Sequence, residues 1–244
     1  MKPWPYPAWI AHRGAGKLAP ENTLAAFRLG AEHGYRMFEC DVKLSADGVP
    51  FLMHDATLER TTNGMGTGGD QPWDQLARLD AGDWHSRAYA GEPLPAFENV
   101  ARYCLANRFF LNIEIKPTPG LEAKTGEVVA NHAARLWGGE AVPPLLTSFR
   151  PESLLAAMQA QPQLPRGLLL DTLWDGCWNY AQQLQCVAVV CNHALWDRET
   201  VAKAKGLGLR CLSYTVNDEW AAERLLALGT DGIITDRVDL FPPA

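Results

Sequence analysis

The chain has 244 residues, of which 47% are hydrophobic and 20% are charged, with a net charge of −6 and a pI of about 5.5. This composition is typical of a folded globular protein with a sizeable core and argues against a disordered chain. The acidic balance leaves no basic stripe for a nucleic-acid backbone, and no apolar run approaches the roughly 18 residues that a membrane span needs. Because the N-terminal residues also lack a secretory signal, we expect a soluble cytoplasmic protein.

Strand-like and helix-like patterns alternate along the chain. The predicted strands are residues 9–12, 37–44, 49–54, 109–116, 145–148, 166–170, 187–192, 210–215 and 232–235. The predicted helices, which show apolar spacings of three and four, are residues 23–33, 98–107, 122–136, 152–161, 177–184, 197–205 and 218–228. Repeated strand–helix units predict parallel strands joined by right-handed crossovers. About eight such units predict a (β/α)8 barrel of the TIM type; a doubly wound sheet is the alternative, although no G-x-G-x-x-G sequence follows the first strand.

The sequence predicts nine strands, one more than the eight of such a barrel. Residues 45–48 are too few for a parallel crossover, so they predict a hairpin turn. The strand of residues 49–54 would then run antiparallel to its predecessor. A turn of that length brings Glu39 roughly opposite His54.

Residues 56–95 interrupt the alternation of strands and helices. Residues 61–69 are rich in glycine, and large aromatic residues follow at positions 73, 84 and 89. A stretch of this kind is usually functional or disordered, and the aromatic residues favour order. We therefore predict one domain, residues 1–244, whose barrel carries an inserted cap of about residues 56–95 between the His54 strand and the Glu114 strand.

Acidic side chains recur at alternate positions of two predicted strands. Alternate side chains of a strand share a face, so Glu39 lies beside Asp41, and Glu114 lies beside Asn112 and Lys116. Carboxylates packed together raise one another's pKa, and a divalent cation relieves that repulsion. Oxygen ligands favour Mg²⁺ or Ca²⁺ over Zn²⁺. We predict that Glu39, Asp41 and Glu114 hold such a cation; the alternative is solvated strand ends paired with Arg or Lys.

Two histidines end apolar runs of the sequence, His12 after residues 9–11 and His54 after residues 51–53. In a TIM barrel the carboxyl ends of the strands form the active site, and imidazole titrates near working pH. His12 and His54 are therefore the predicted general acid and base. The other histidines are expected to have structural or surface positions, with His193 kept as a possible substrate contact.

Two basic residues adjoin these positions and predict an anion site. Arg13 directly follows His12 and presents a forked guanidinium, whereas Lys116 supplies a point charge. Glycines at positions 14 and 16 allow close backbone approach, and the helix that begins near Thr23 offers its amide-rich end to an anion. We therefore expect Arg13 and Lys116 to bind phosphate oxygens.

These residues belong to motifs that resemble one enzyme family in order and in spacing. The motifs are His12-Arg13-Gly14, Pro20-Glu21-Asn22-Thr23, Glu39-x-Asp41, His54-Asp55, Glu114-x-Lys116, Ser148-Phe149, Tyr214-Thr215-Val216-Asn217 and Thr235-Asp236. They span nearly the whole chain, and their combination resembles the glycerophosphodiester phosphodiesterase family. Further segments, such as residues 16–26 and 165–171, resemble its bacterial cytoplasmic type, which is associated with glycerol 3-phosphate uptake.

The resemblance implies a TIM-type barrel and an enzyme that hydrolyses glycerophosphodiesters. The implied products are sn-glycerol 3-phosphate and an alcohol such as choline or ethanolamine. It also implies the roles already predicted for the three carboxylates and the two histidines. Many members carry Trp at the position of Tyr214, and either ring can stack on a glycerol or a headgroup. Headgroup preference, oligomeric state and the nucleophile, a glycerol hydroxyl or water, stay open.

Two other functions are compatible with the predicted fold. A phospholipase D-like enzyme that acts on lysophospholipids or sphingomyelin would need an apolar, membrane-facing cap, whereas residues 56–95 mix charged and apolar residues. A non-catalytic barrel that binds sugar phosphates or a partner protein would not need both histidines and every proposed ligand.

Overall fold

The computed structural model describes residues 3–241 and 243 and contains a closed barrel of eight parallel strands. In chain order the strands are β1 (Trp9–Ala11), β2 (Met37–Leu44), β3 (Pro50–Leu52), β4 (Phe110–Ile115), β5 (Leu145–Ser148), β6 (Arg166–Leu170), β7 (Ala188–Asn192), β8 (Arg210–Tyr214) and β9 (Gly232–Thr235). The barrel closes because β1 pairs with both β2 and β9, while β3 lies antiparallel beside β2. The predicted TIM-type barrel with a surplus hairpin strand is confirmed.

Helices surround the barrel. Those of the described residues are α1 (Leu24–Glu32), α2 (Trp73–Leu76), α3 (Phe97–Ala106), α4 (Glu122–Leu136), α5 (Pro151–Ala160), α6 (Cys177–Gln183), α7 (Arg198–Gly206) and α8 (Glu219–Leu228). All except α2 agree with the predicted helices to within one residue at each end. The Thr23 side chain caps α1 by accepting from the Ala26 amide, and Gly229, with φ 74°, ends α8. None of the helices in the described part of the chain has the length and apolarity to cross a bilayer.

The inside of the barrel is apolar at the start of the strands and polar at their ends. On β2 the inward face runs from Met37 through Glu39 to Asp41. The apolar interior consists of Tyr6, Ile10, Met37, Leu145, Leu169, Ala188, Val190, Leu212 and Ile234. Cys40 packs in the separate layer between strands and helices, on the opposite face of β2 from Glu39 and Asp41. A filled lower half leaves only the carboxyl ends of the strands for chemistry.

The hairpin between β2 and β3 differs from the predicted one by one residue. Its ladder pairs Val42 with Leu52, and the Ser45 amide donates to the Val49 carbonyl at 3.0 Å. The loop therefore contains three residues, 46–48, and ends at a glycine with φ 82°. Continued to residue 54, this register puts Cys40 opposite His54, so the predicted pairing with Glu39 is wrong.

The segment between β3 and α3 is ordered and has a small core of its own. This core consists of Phe51, Met53, Leu58, Leu76, Ala81 and Leu94. The segment is bound to the barrel by hydrogen bonds: the Ala25 amide donates to Glu92 at 3.0 Å, and the His85 ring lies 3.0 Å from the Lys17 carbonyl oxygen. The insertion thus packs beside the loop that follows β1.

Candidate active site

Three carboxylates meet at the carboxyl ends of two neighbouring strands. Glu39 and Asp41 lie on the inward face of β2, and Asp41 is in register with Glu114 on β4. All three side chains are buried, and one oxygen from each lies within 4.8 Å of the others. The structure therefore brings the predicted ligand residues together.

Burial and mutual repulsion dominate the electrostatics of this acidic cluster. Burial and the charges of its two neighbours raise the pKa of Glu39 well above its ordinary value. Burial and Asp41 likewise raise the pKa of Glu114 to about 7, against the opposing effect of Lys116. A cluster that resists full ionisation is stabilised by a divalent cation, and a donor set made only of oxygen fits a hard cation such as Mg²⁺ or Ca²⁺.

Two basic side chains compensate part of the negative charge. The Lys116 ammonium lies 2.9 Å from Glu114 and 3.3 Å from Asp41, and the Arg13 guanidinium lies 3.3 Å from Asp41 on the other side. Burial alone would raise the pKa of Asp41, but Lys116 and Arg13 hold it well below its usual range. Both predicted phosphate-binding residues thus face the acidic cluster.

The backbone at Arg13 is strained. Its φ of 50° is left-handed, a conformation that costs a residue other than glycine about 1 kcal/mol or more. Two hydrogen bonds hold it there: the Arg13 amide donates to Glu39 at 3.2 Å, and its carbonyl accepts from the Asn22 amide at 2.9 Å. In this conformation the Arg13 Nε lies 3.3 Å from an Asp41 carboxylate oxygen.

His12 follows β1 and has a carboxylate partner from the neighbouring strand β9. Its Nδ1 lies 2.6 Å from Asp236, which also accepts from the side-chain amide of Asn217 at 2.9 Å. Burial disfavours ionisation of Asp236, yet the hydrogen bond with His12 lowers its pKa to about 2. With Nδ1 bound to this carboxylate, His12 presents Nε2, which lies 3.8 Å from Glu39.

His54 has an equivalent partner and a longer network behind it. Its Nδ1 lies 2.7 Å from Asp55. Arg60, from the insertion, makes two bonds to Asp55, at 2.5 and 3.0 Å, and two to Glu21, at 2.9 and 2.8 Å. Glu21 in turn accepts from Arg13 at 2.8 Å. One arginine of the insertion therefore connects a histidine with a phosphate-binding candidate.

A cavity of about 570 Å³, open to solvent, unites these groups. Its lining comprises His12, Arg13, Glu39, His54, Asn112, Glu114, Lys116, Thr147, Phe149, Leu169, Tyr214, Thr215 and Ile234. Of the predicted site residues, Asp41 lies behind this lining, only 1% exposed. The Tyr214 hydroxyl donates to the Leu170 carbonyl at 2.9 Å, which leaves its ring for contact with a ligand. His193 lies in a short turn after β7 and is not among the lining residues.

A wider cavity of about 1150 Å³ adjoins the first one. The two share His54, Glu114, Lys116, Phe149 and Leu169. The second cavity extends past the carboxyl ends of β4, β5 and β6 toward Trp174. The two cavities can therefore hold the two substituents of one ligand, with the atom that joins the substituents beside His54.

The sequence predicted the side chains that converge at this site better than the groups that hold them. Asp236 and Asp55 stand in the quoted motifs without a role, and Arg60 was not singled out. The adjacency of Asp55 to His54 is a local signal, whereas the Asp236–His12 contact depends on barrel closure between β1 and β9. Chemically, the site combines two carboxylate-bound imidazoles, two cations and a metal-compatible acidic cluster, as acid–base reaction of an anionic ester requires.

Comparison with known proteins is consistent with this chemistry. The model of the Glycerophosphoryl diester phosphodiesterase family matches residues 12–240. A glycerophosphodiester phosphodiesterase of Caldanaerobacter subterraneus subsp. tengcongensis is 34% identical over 231 residues, covering 93% of both chains. One from Bacillus subtilis is 32% identical over 248 residues, covering 95% of this chain and 84% of that protein. The structure of an Oleispira antarctica phosphodiesterase in complex with the product sn-glycerol-3-phosphate superimposes with a TM-score of 0.87 at 32% identity, covering 95% of this chain and 93% of the other.

Proposed function

Because this chain belongs to the glycerophosphoryl diester phosphodiesterase family and is a phosphodiesterase, we propose that it hydrolyses glycerophosphodiesters to sn-glycerol 3-phosphate and an alcohol. Glycerophosphocholine and glycerophosphoethanolamine are the expected substrates. The observation that carries the proposal is one cavity that contains two carboxylate-bound histidines, two cations and part of a buried acidic cluster. The product held by the Oleispira antarctica relative supports the proposed product.

The acidic cluster is the proposed site of a divalent cation. Glu39, Asp41 and Glu114 would hold Mg²⁺ or Ca²⁺, and the family is generally dependent on divalent metals. When bound, the cation supplies electrostatic stabilisation of charge on the non-bridging phosphate oxygens. The all-oxygen donor set and the raised pKa of two of its members support this assignment.

The chain's own cations take the phosphate in this proposal. Arg13 and Lys116 lie on either side of Asp41 and both line the first cavity, so each can turn a donor to a phosphate oxygen. The charge that builds up on the phosphate during displacement strengthens these contacts in the transition state. The ring of Tyr214 is the proposed contact for the glycerol or the headgroup.

The two histidines divide the proton transfers. Asp236 and Asp55 bind Nδ1 of His12 and His54, which fixes each ring and leaves Nε2 for the substrate. One imidazole takes the proton of the nucleophile, which is water or the neighbouring glycerol hydroxyl, and the other protonates the departing alcohol oxygen. If the glycerol hydroxyl attacks, the first product is a cyclic phosphate, which water then opens to sn-glycerol 3-phosphate. The carboxylates stabilise whichever ring is charged at that moment.

The proposal treats the chain as one phosphodiesterase domain with residues 56–95 as its cap. The hydrogen bonds of Arg60 and Glu92 to the barrel support a cap that acts with the site rather than as a separate unit. A cytoplasmic location is part of the proposal. It is supported by the six cysteines, which are free thiols in the structure.

Release of choline from glycerophosphocholine tests the proposal. The purified protein is assayed with and without Mg²⁺ or Ca²⁺, with His12→Ala as the inactive control. Lysophosphatidylcholine serves as the competing substrate. Turnover of glycerophosphocholine with stoichiometric sn-glycerol 3-phosphate supports the proposal. Preference for lysophosphatidylcholine would assign the phospholipase D-like function, and binding of sugar phosphates without turnover of either substrate would assign a non-catalytic barrel.

A further inference from the structure

A buried amide at the bottom of the first cavity lacks a hydrogen-bond partner. Asn112 lies on the inward face of β4 and is 1% exposed. Its Oδ1 accepts from the Thr147 hydroxyl at 2.9 Å, whereas its Nδ2 has no partner among the residues that the structure describes. A buried donor without an acceptor costs about 1–3 kcal/mol, so a ligand that brings an acceptor to this donor recovers that free energy on binding.

The position of Asn112 defines what such a ligand meets. Asn112 lines the first cavity and is in register with Glu39 on β2, two residues before Glu114 on its own strand. It therefore lies deeper in the barrel, two residues before Glu114 and four before Lys116 along the chain. The apolar side chains of Leu169 and Ile234 line the same cavity. A ligand that reaches the Asn112 amide therefore lies beside the carboxylates of Glu39 and Glu114 and contacts the apolar side chains of Leu169 and Ile234.

The surroundings favour a hydroxyl group over a phosphate oxygen as the partner. The cation that the acidic cluster would hold, together with Arg13 and Lys116, offers positive charge to a phosphate oxygen, whereas the deeper position of Asn112, in register with Glu39, offers it only a neutral amide beside a carboxylate. A hydroxyl group can accept from Nδ2 and donate its own proton to a carboxylate oxygen. A neutral donor beside acidic groups is therefore complementary to an alcohol.

We propose that the Asn112 side-chain amide binds a hydroxyl group of the glycerol moiety and selects substrates that carry this polyol. The proposal rests on the proposed function, because it assigns the glycerol half of the diester to the first cavity. Leu169 and Ile234 contact its carbon atoms. Thr147 is a positioning residue: by donating to Oδ1 it fixes the amide and leaves Nδ2 as the end that is free to donate.

Binding of two phosphomonoesters tests this assignment. In a buffer with Mg²⁺, calorimetry compares sn-glycerol 3-phosphate with ethyl phosphate, which has the same phosphate but no hydroxyl groups. The wild-type protein should bind sn-glycerol 3-phosphate more tightly. Asn112→Leu should weaken its binding about tenfold, the equivalent of one well-formed hydrogen bond, and leave ethyl phosphate unchanged.

Matched variants separate recognition from general damage. Asn112→Asp removes the donor at nearly constant size and keeps an acceptor for Thr147. The affinity for sn-glycerol 3-phosphate should therefore fall relative to that for ethyl phosphate, even if the charge of the new carboxylate weakens binding of both ligands. Thr147→Val should lower the ratio of the two affinities partly, and Thr147→Ser, which keeps the hydroxyl, should restore it. Thermal unfolding of each variant checks that it is folded.

The outcomes distinguish this proposal from the proposed function. If Asn112→Leu and Asn112→Asp weaken binding of both phosphomonoesters equally, so that the ratio of the two affinities is unchanged, the proposed role of Asn112 is wrong. Its Nδ2 would then donate only to water. If wild-type protein still hydrolyses glycerophosphocholine in that case, the proposed function stands without it. If wild-type protein hydrolyses no glycerophosphodiester, the proposed function itself is wrong.

Discussion

Replacing Arg60 by alanine removes a side chain that links the insertion to both a histidine and a phosphate-binding candidate. Arg60 makes two bonds to Asp55, which holds His54, and two bonds to Glu21, which holds Arg13. The substitution leaves both carboxylates with one cationic partner fewer. We expect His54 and Arg13 to lose their fixed orientation while Glu39, Asp41 and Glu114, the proposed metal ligands, stay in position.

The structure predicts a small effect on stability and a larger one on catalysis. The Arg60 side chain is 44% exposed, and exposed ion pairs contribute little each, so the free energy of unfolding should fall by about 1–2 kcal/mol for the two pairs together. Misplacement of a catalytic group by about 1 Å can cost up to about 10²-fold in rate. We therefore expect kcat to fall about 10- to 100-fold.

Denaturant unfolding and steady-state kinetics with glycerophosphocholine measure the two effects separately. Arg78→Ala is the matched control, because Arg78 lies in the same insertion and is 80% exposed with a 3.9 Å pair to Asp74. It should change neither quantity. Arg60→Lys keeps the charge but cannot make paired hydrogen bonds to both Asp55 and Glu21, so the kcat of this variant should lie between those of wild type and Arg60→Ala. A wild-type kcat in Arg60→Ala, or a loss explained by unfolding at the assay temperature, would refute the reasoning.

Further substitutions test the remaining roles. His12→Ala and His54→Ala should each lower kcat by at least about 10²-fold, and near-normal turnover would refute the role of that histidine. Asp236→Asn should lower kcat and change KM little, because Asp236 acts through His12. A change confined to KM would contradict this role. Glu114→Gln should shift the metal dependence, measured by titration with EDTA and Mg²⁺, and unchanged EDTA sensitivity would count against ligation. Deletion within residues 64–69 should alter the preference among headgroups, and a collapse of metal affinity instead would argue against a cap.

The fold was predictable because its signals are local. The alternation of strand and helix, the Thr23 cap and Gly229 depend on neighbours within a few residues, and these boundaries agree with the structure. The hairpin register was not predictable to the residue. It depends on the pairing of Ser45 with Val49, which shortens the loop by one residue and shifts His54 relative to β2. A side-chain period of two makes even this small shift change the facing residue.

The convergence of the predicted site residues could be predicted because strand periodicity orders their side chains. Glu39 and Asp41 share a face of β2, and the parallel register then sets Asp41 beside Glu114. The supporting groups depend on tertiary contacts. Asp236 reaches His12 only because β9 closes the barrel against β1, and Arg60 reaches Asp55 only through the path of the insertion. No spacing rule in a single sequence encodes either contact.

The charge balance of the site explains why cations and buried acids are interleaved. Fully ionised, the three carboxylates and the two basic side chains carry one net negative charge, and a divalent cation makes the total one positive. That total is equal and opposite to the charge of a phosphodiester. Without the carboxylates, the same cations would hold the product, a phosphomonoester with about two negative charges, more tightly than the substrate. A product that is bound more tightly than the substrate leaves slowly, and this slows turnover. Under the proposed function, the buried acids would therefore weaken product retention as well as hold the cation.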